Sequence, residues 1–340
     1  METKKYIVVI GGMNLDLAGL SGDVYRPRDS NIGEIEMTVG GVGQNIAQNL
    51  TRLNVPTYLI TVYGNDHFGN ILTQECGKNS IYLDYAECII GKKSSTYLYV
   101  ADNKGDMVAA VNDMSITENM TPKFLQERID FINGATLCVI DGNVSAKSIR
   151  WLADHCTVPI FADPVSTAKA SRFQDILEKI DTFKPNELEA ELLTGIKITD
   201  EETANRAAGL LNKMGVKNVF ISLGAKGILC SGNGETILVP IFPSNITSVN
   251  GAGDCSMATI VWARFFYKES VSLRRVGELA QAAASLTVEV AESVSTKLSV
   301  EAVLKRANTF KNQKEGENYD KTNLFFSKLQ RECGNNGCGC

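Results

Sequence analysis

A doubly wound α/β fold, with a mainly parallel sheet, helices on both faces and a small β lid, is the architecture this sequence predicts. Three observations carry the prediction. Short apolar runs alternate with amphipathic stretches through most of the 340 residues. The runs are continuous rather than alternating, as strands covered on both faces require. Two polar, turn-rich segments interrupt the series, after which it resumes.

In chain order, residues 6–10 (YIVVI) form the first strand, and 57–62, 136–140, 159–162 and 218–223 repeat the pattern. Helical periodicity fills 42–54, 68–79, 122–133, 146–156 and 202–214 between them. Residues 15–39 and 94–113 break the alternation and are assigned to the lid. The second segment reads as a hairpin turning at Asp102-Asn103-Lys104-Gly105. Beyond Gly224, short strands at 227–230 and 236–239 precede helices at 251–267, 273–292 and 300–309. One domain is expected over 1–310. Residues 311–340, polar and rich in Gly, Asn and Lys, are expected to be a flexible extension. Cys333, Cys338 and Cys340 near its end lack a nearby fourth metal ligand and read as terminal thiols.

Composition narrows the function. Lys and Arg number 34 against 39 Asp and Glu, for a net charge of −5. That argues against nucleic-acid binding through a broad basic surface. No run reaches the 18 or so apolar residues of a membrane span. The N-terminal apolar run is too short for a secretory leader. Nine cysteines, an odd count without a framework, argue against a disulfide fold. Cys76, Cys88, Cys138, Cys156, Cys230 and Cys255 read as small buried hydrophobes. A cytoplasmic enzyme is expected.

Five motifs carry chemistry. Asn250-Gly251-Ala252-Gly253-Asp254 opens a helix. Its unpaired amides favour an anion, and the carboxylate beside them suits a base that deprotonates a hydroxyl. Gly40-Gly41-Val42-Gly43-Gln44-Asn45 opens another helix but lacks the third glycine of the dinucleotide fingerprint. Its glycines suit a polar ligand resting against backbone, with Asn45 offering an amide, but taken alone the motif reads first as a tight strand–helix turn. Asn14 and Asp16 follow the first strand, where parallel sheets bind ligands, and suit the vicinal hydroxyls of a sugar. Lys184-Pro185-Asn186-Glu187-Leu188-Glu189 reads both as a capping box and as a place for hydrated Mg²⁺ carrying nucleotide phosphates. Ser222-Leu223-Gly224-Ala225-Lys226-Gly227 ends a strand in glycines suited to a nucleotide. No P-loop occurs. With only His67 and His155 in the chain, His-based catalysis has few candidates.

The order and spacing of these motifs resemble the PfkB (ribokinase-like) family of sugar and nucleoside kinases, from the first strand to about residue 310. Within the family the chain looks most like members acting on pseudouridine. That likeness lies in Asp29-Ser30-Asn31 with Gly33, the 40–50 stretch, Ala110-Val111-Asn112-Asp113-Met114 and Asp163-Pro164-Val165-Ser166. The resemblance implies transfer of a phosphoryl group from Mg-ATP to a nucleoside 5′-hydroxyl. Asp254 would then be the base, and the amides of Gly251, Ala252 and Gly253 the anion hole. Asp16, Gly41 and Asn45, with Asn14, would bind ribose hydroxyls. Ser30, Asn112, Asp113, Asn143 and Lys169 would read the base. Asn186 and Glu189 would serve the phosphates and Mg²⁺, the latter through water, while Ser222, Gly224 and Gly227 line the ATP site. Two departures stand out. The family usually has Thr in place of Asn250, and potassium-activated relatives carry Asp in place of Ser248, so K⁺ dependence stays open. Exposed lid strands are edges, and their pairing predicts a homodimer. Kinases for ribose, adenosine or a hexose, and a non-catalytic nucleoside sensor, are the alternatives. A nicotinamide-dependent dehydrogenase is disfavoured by the missing fingerprint.

Overall fold

The computed structural model describes residues 5–267 and 271–316, with side chains of the last helix described to residue 309. Fourteen strands occur among the described residues. They are β1 (Ile7–Ile10), β2 (Asn14–Ser21), β3 (Gly33–Gly40), β4 (Thr57–Ile60), β5 (Val62–Gly64), β6 (Glu87–Ile89), β7 (Thr96–Ala101) and β8 (Met107–Asp113). β9 (Leu137–Asp141), β10 (Ile160–Asp163), β11 (Thr182–Phe183), β12 (Asn218–Ser222), β13 (Ile228–Gly232) and β14 (Glu235–Val239) follow.

Eight strands form the main sheet in the order β14-β13-β12-β11-β10-β9-β1-β4. From β4 to β12 every pairing is parallel, and β13 and β14 add an antiparallel edge. The apolar run of β1 explains its central place. Ile7 and Val9 enter one core, Val8 and Ile10 the other, and all four are fully buried. Each contributes roughly 1.5–3 kcal/mol of burial. Helices Val42–Arg52, Ala252–Phe265 and Leu273–Thr287 cover the first face. Ala146–His155, Glu187–Thr194 and Glu201–Lys213 cover the second.

The lid is a separate sheet in the order β3-β2-β7-β8. Its hairpin turns where expected, with Gly105 at φ 84°. β8 is exposed along its whole length.

Several expectations need correcting. The helix expected over 122–133 splits into Pro122–Gln126 and Ile129–Asn133. At the break, the Arg128 guanidinium donates to the carbonyls of Tyr85 and Phe124 and pairs with Glu87. The helix expected to reach 292 stops at Thr287, because the Val288 carbonyl accepts instead from the amides of Thr247 and Ser248. That diversion tethers the loop leading to Gly251. β6 and the helical run from Thr167 to Lys179 add to the expected elements, being too short or irregular to stand out in the sequence. Cys88 is exposed and Cys156 half-buried, whereas Cys76, Cys138, Cys230 and Cys255 are buried as expected. The last helix, Val300–Gly316, runs through residue 310. The Cys333, Cys338 and Cys340 trio lies outside the described residues. Among the described residues, no helix is long and apolar enough to cross a membrane.

Candidate active site

Parallel strands deliver their carboxyl ends to one edge of the sheet, and the helices that follow begin there. Asp141 ends β9 and organises this edge. Its Oδ2 accepts from the amides of Gly12 and Gly43, each at 2.8 Å, and its Oδ1 from the amide of Asn143 at 2.7 Å. Thus one carboxylate ties the exit of β1 to the start of the helix Val42–Arg52. The glycines are required by contact: a Cβ on Gly11 would collide with this carboxylate, and one on Gly43 would lie 2.9 Å from the Gly11 backbone. Burial raises the Asp141 carboxyl above its ordinary value, and the Gly12 and Asn143 bonds and the nearby Lys169 ammonium pull the other way.

The two glycine-led helix starts converge on each other. Gly41 (φ 100°) precedes Val42–Arg52, and Gly251 (φ 73°) precedes Ala252–Phe265. Asn45, from the first, donates through Nδ2 to Asp254 Oδ2, from the second, at 2.9 Å across 209 residues of chain. Asn45 is 7% exposed, and its Oδ1 has no partner. Burial raises the Asp254 carboxyl to about 7, with a further push from Asp163. The Asn45 bond and the Lys184 ammonium oppose that rise without cancelling it. A carboxyl poised near neutrality, with open amides beside it, is equipped to take a proton from a hydroxyl.

Asn14 opens β2 and donates to Asp16 on the same strand. Burial raises Asp16 as well, against the Asn14 bond. Across the lid, Asp16 pairs with Tyr97 and Tyr97 with Asn112, so these three residues share one face. Leu15, Thr96 and Asp113 form the adjacent row on the other face. Asn112 therefore lies on the Asp16 side, and Asp113 does not. The Asp113 carboxylate instead accepts from the Ser115 hydroxyl and amide, which together hold it below its ordinary value. Ser30 is exposed beside the 27–29 turn, where its amide donates to Asp29 Oδ1 at 2.8 Å. Asn143 Nδ2 donates to Asp141 at 3.0 Å, and its Oδ1 accepts from Lys169 Nζ at 2.6 Å.

Asn186, expected from the sequence to serve the nucleotide, caps Glu187–Thr194 in a reciprocal box with Glu189. The Asn186 side chain accepts from the Glu189 amide, and Glu189 Oε2 from the Asn186 amide. Burial raises Glu189 to about 7, with Asp163 adding to it. Ser222 ends β12 beside this cap, its amide bonded to the Pro185 carbonyl at 3.0 Å. Gly224 begins a short 3-10 turn facing open space, and Gly227 (φ 107°) ends it against the Val239 carbonyl. As to Mg²⁺, no cluster of three His, Cys, Asp or Glu able to hold a metal occurs among the described residues. Buried carboxylate oxygens nonetheless suit a hard cation that keeps most of its waters and travels on phosphates.

Two residues of this centre carried no role in the sequence reading. Asp163 ends β10, and Lys184 directly follows β11. Their ion pair is 3.0 Å long, with side chains 7% and 5% exposed. Charged residues at the carboxyl ends of parallel strands were the signal that marks them.

The parallel sheet with its lid, the Gly251-led helix start and the buried Asp254 carboxyl fit a phosphotransferase that acts on a hydroxyl acceptor. Residues 4–299 match the model of the pfkB family carbohydrate kinases, and the chain belongs to that family. It is 38% identical over 260 residues to the pseudouridine kinase of Escherichia coli K12, covering 76% of this chain and 83% of that one. A carbohydrate kinase from Agrobacterium tumefaciens superposes with a TM-score of 0.78 at 26% identity, covering 89% and 97% of the two chains. Arabidopsis thaliana ribokinase, solved with ribose and ATP, shares the fold with a TM-score of 0.79 at 23% identity, covering 90% and 99%.

Proposed function

We propose that the chain transfers the γ-phosphoryl group of ATP to the 5′-hydroxyl of pseudouridine. The observation that carries the hydroxyl chemistry is the Asn45–Asp254 bond, with a buried acceptor, Asn45 Oδ1, left open beside it. That oxygen would take a hydrogen bond from a ribose hydroxyl, with Asn14, Asp16 and the backbone at Gly41 holding the sugar. Asp254 would accept the 5′-hydroxyl proton while the new O–P bond forms and the bond to ADP breaks. The amides of Gly251, Ala252 and Gly253 would stabilise the equatorial oxygens, so positioning and electrostatics supply most of the acceleration. Asn186, Ser222, Gly224 and Gly227 would hold the nucleotide. Mg²⁺, carried on the phosphates, would supply charge neutralisation, with Glu189 holding one of its waters. A closed lid would exclude water from the phosphoryl group.

Base recognition falls to Asn112, on the Asp16 face, and to Lys169, whose ammonium is already oriented by Asn143. Linked to ribose through carbon, the base of pseudouridine keeps one more ring N–H than the base of uridine. An Asn112 carbonyl facing it would leave a polar group unpaired with uridine. Asp113, engaged by Ser115, would set the end of the lid strand. The 38% identical relative supports the same acceptor. A panel of pseudouridine, uridine, cytidine, adenosine, ribose and fructose 6-phosphate tests the reading. Expected is a kcat/KM for pseudouridine on the order of 100-fold or more above uridine, narrowed by Asn112→Ala. Faster turnover of ribose or adenosine would keep the enzyme class and overturn the acceptor.

We further propose a cytoplasmic homodimer formed by the lids. Ile35, Met37, Met107 and Val111 are apolar and exposed on lid strands, and β8 is an unpaired edge. Light scattering is expected to give twice the chain mass, falling to the monomer in Val111→Glu. A wild-type monomer at micromolar concentration contradicts the dimer.

A further inference from the structure

Lys184 stands at the centre of the candidate site without a role in base, sugar or nucleotide recognition. Its backbone is fixed by an amide bond to the Ala162 carbonyl at 3.0 Å. Its ammonium pairs with Asp163 Oδ2 at 3.0 Å, and Asp163 is itself held by the Val165 amide on Oδ1 at 2.9 Å. Nζ lies 3.4 Å from where a Cβ on Gly253 would stand, which puts a buried cation against the first turn of the anion-hole helix. Asp254 and Glu189 both feel it electrostatically, so one ammonium serves three carboxylates.

An ordinary structural ion pair has no need of that placement. Replacing a buried pair by apolar residues is often neutral or stabilising, so the pair itself is weak evidence of a stability role. Its position is better explained by charge. A triphosphate entering a pocket that holds Asp163, Glu189 and Asp254 meets repulsion unless a fixed cation lies between them. A lysine anchored by a carboxylate is a pre-aimed point charge for phosphate.

We infer that Lys184 is a catalytic residue that contacts the phosphoryl group during transfer, and that Asp163 is the positioning residue that aims it. This assignment rests on the phosphoryl-transfer reading of the site. The ammonium donates to a γ-phosphoryl oxygen on the side of Gly253 and keeps its proton throughout. The 5′-hydroxyl proton goes to Asp254, and ADP leaves with the electrons of the broken O–P bond. Lys184 therefore acts on the terminal phosphate and is indifferent to ADP.

The test compares Lys184→Met, Lys184→Arg and the double variant Asp163→Asn/Lys184→Met. The double variant removes both charges, so it remains informative where Lys184→Met alone fails to fold. Expected is a fall in kcat on the order of 100-fold in both Met variants, with the nucleoside KM unchanged and partial recovery in Lys184→Arg. Calorimetry adds a readout that needs no acceptor. The Met variants should bind a non-hydrolysable ATP analogue more weakly than wild type while binding ADP equally well. A folded double variant with kcat within threefold of wild type overturns the assignment. So does an equal loss of ADP and analogue affinity, which marks a structural role. If wild type phosphorylates no acceptor, the proposed function fails on its own terms, and the analogue-against-ADP comparison still decides for or against Lys184.

Discussion

Asp254→Asn is expected to lower phosphoryl transfer by a factor on the order of 10²–10⁴ while making the folded chain more stable at alkaline pH. The first effect follows from losing the proposed base. Asn keeps an oxygen to accept from Asn45 Nδ2, so the constellation should survive without its proton acceptor. The second effect follows from linkage. The carboxyl stands at about 7 in the folded chain against an ordinary 3.8. A group raised in the folded state contributes stability that is complete below its unfolded value and is lost as pH rises through the folded one. Wild type therefore loses stability between about pH 4 and 7 because a buried carboxyl must ionise, and Asn is spared that loss. Thermal melts of both proteins at pH 5 and pH 8 should show an Asn advantage that grows to a few degrees at pH 8. Turnover of the wild type should rise through a midpoint near pH 7, since only the ionised carboxylate accepts a proton. A pH-independent rate between 6 and 8, with chemistry rate-limiting, would remove Asp254 from the role of base.

Gly251→Ala is expected to cost kcat on the order of 10²–10³ with nucleoside affinity little changed. Gly251 adopts φ 73°, and a Cβ there would overlap the Ser293 carbonyl. The left-handed backbone alone costs an L-residue roughly 1–2 kcal/mol. The collision adds to it, because a backbone carbonyl cannot swing aside as a side chain would. The loop from Ser248 to Gly251 must then shift, taking the amides of Ala252 and Gly253 with it. Displacement by about 1 Å is enough to lose two orders of magnitude in rate. Asn14, Asp16 and Asn45 sit on other elements, so calorimetric binding of the proposed acceptor, pseudouridine, should hold within a few-fold. Full activity in a folded Gly251→Ala protein would argue that these amides do not form the anion hole.

Much of this was legible in the residues because the information is local. The run at 7–10 is apolar at every position, which only a strand buried on both faces explains, and β1 lies in the interior of the sheet. Glycines before Asn45 and Asp254 announce helix starts with open amides, and both helices begin there. Asn186 and Glu189, three apart, form the capping box their types and spacing describe. What stayed hidden depends on partners distant in the chain. Asp141 reads as the last residue of a strand; only folding brings the amides of Gly12 and Gly43 to it across 129 and 98 residues. Asn112 and Asp113 are neighbours in sequence and indistinguishable there. The pleat sends one to the Asp16 face and the other to Ser115, a choice fixed by register. The Lys184–Asp163 pair and the Asn45–Asp254 bond belong to the same class. Sequence by itself determined the layers, the helix starts and the residue types at the sheet's carboxyl edge, since these follow from periodicity and backbone preference. Only the tertiary structure decided which of those charges face one another at what burial, because a carboxyl's pKa is a property of its surroundings and not of its place in the chain.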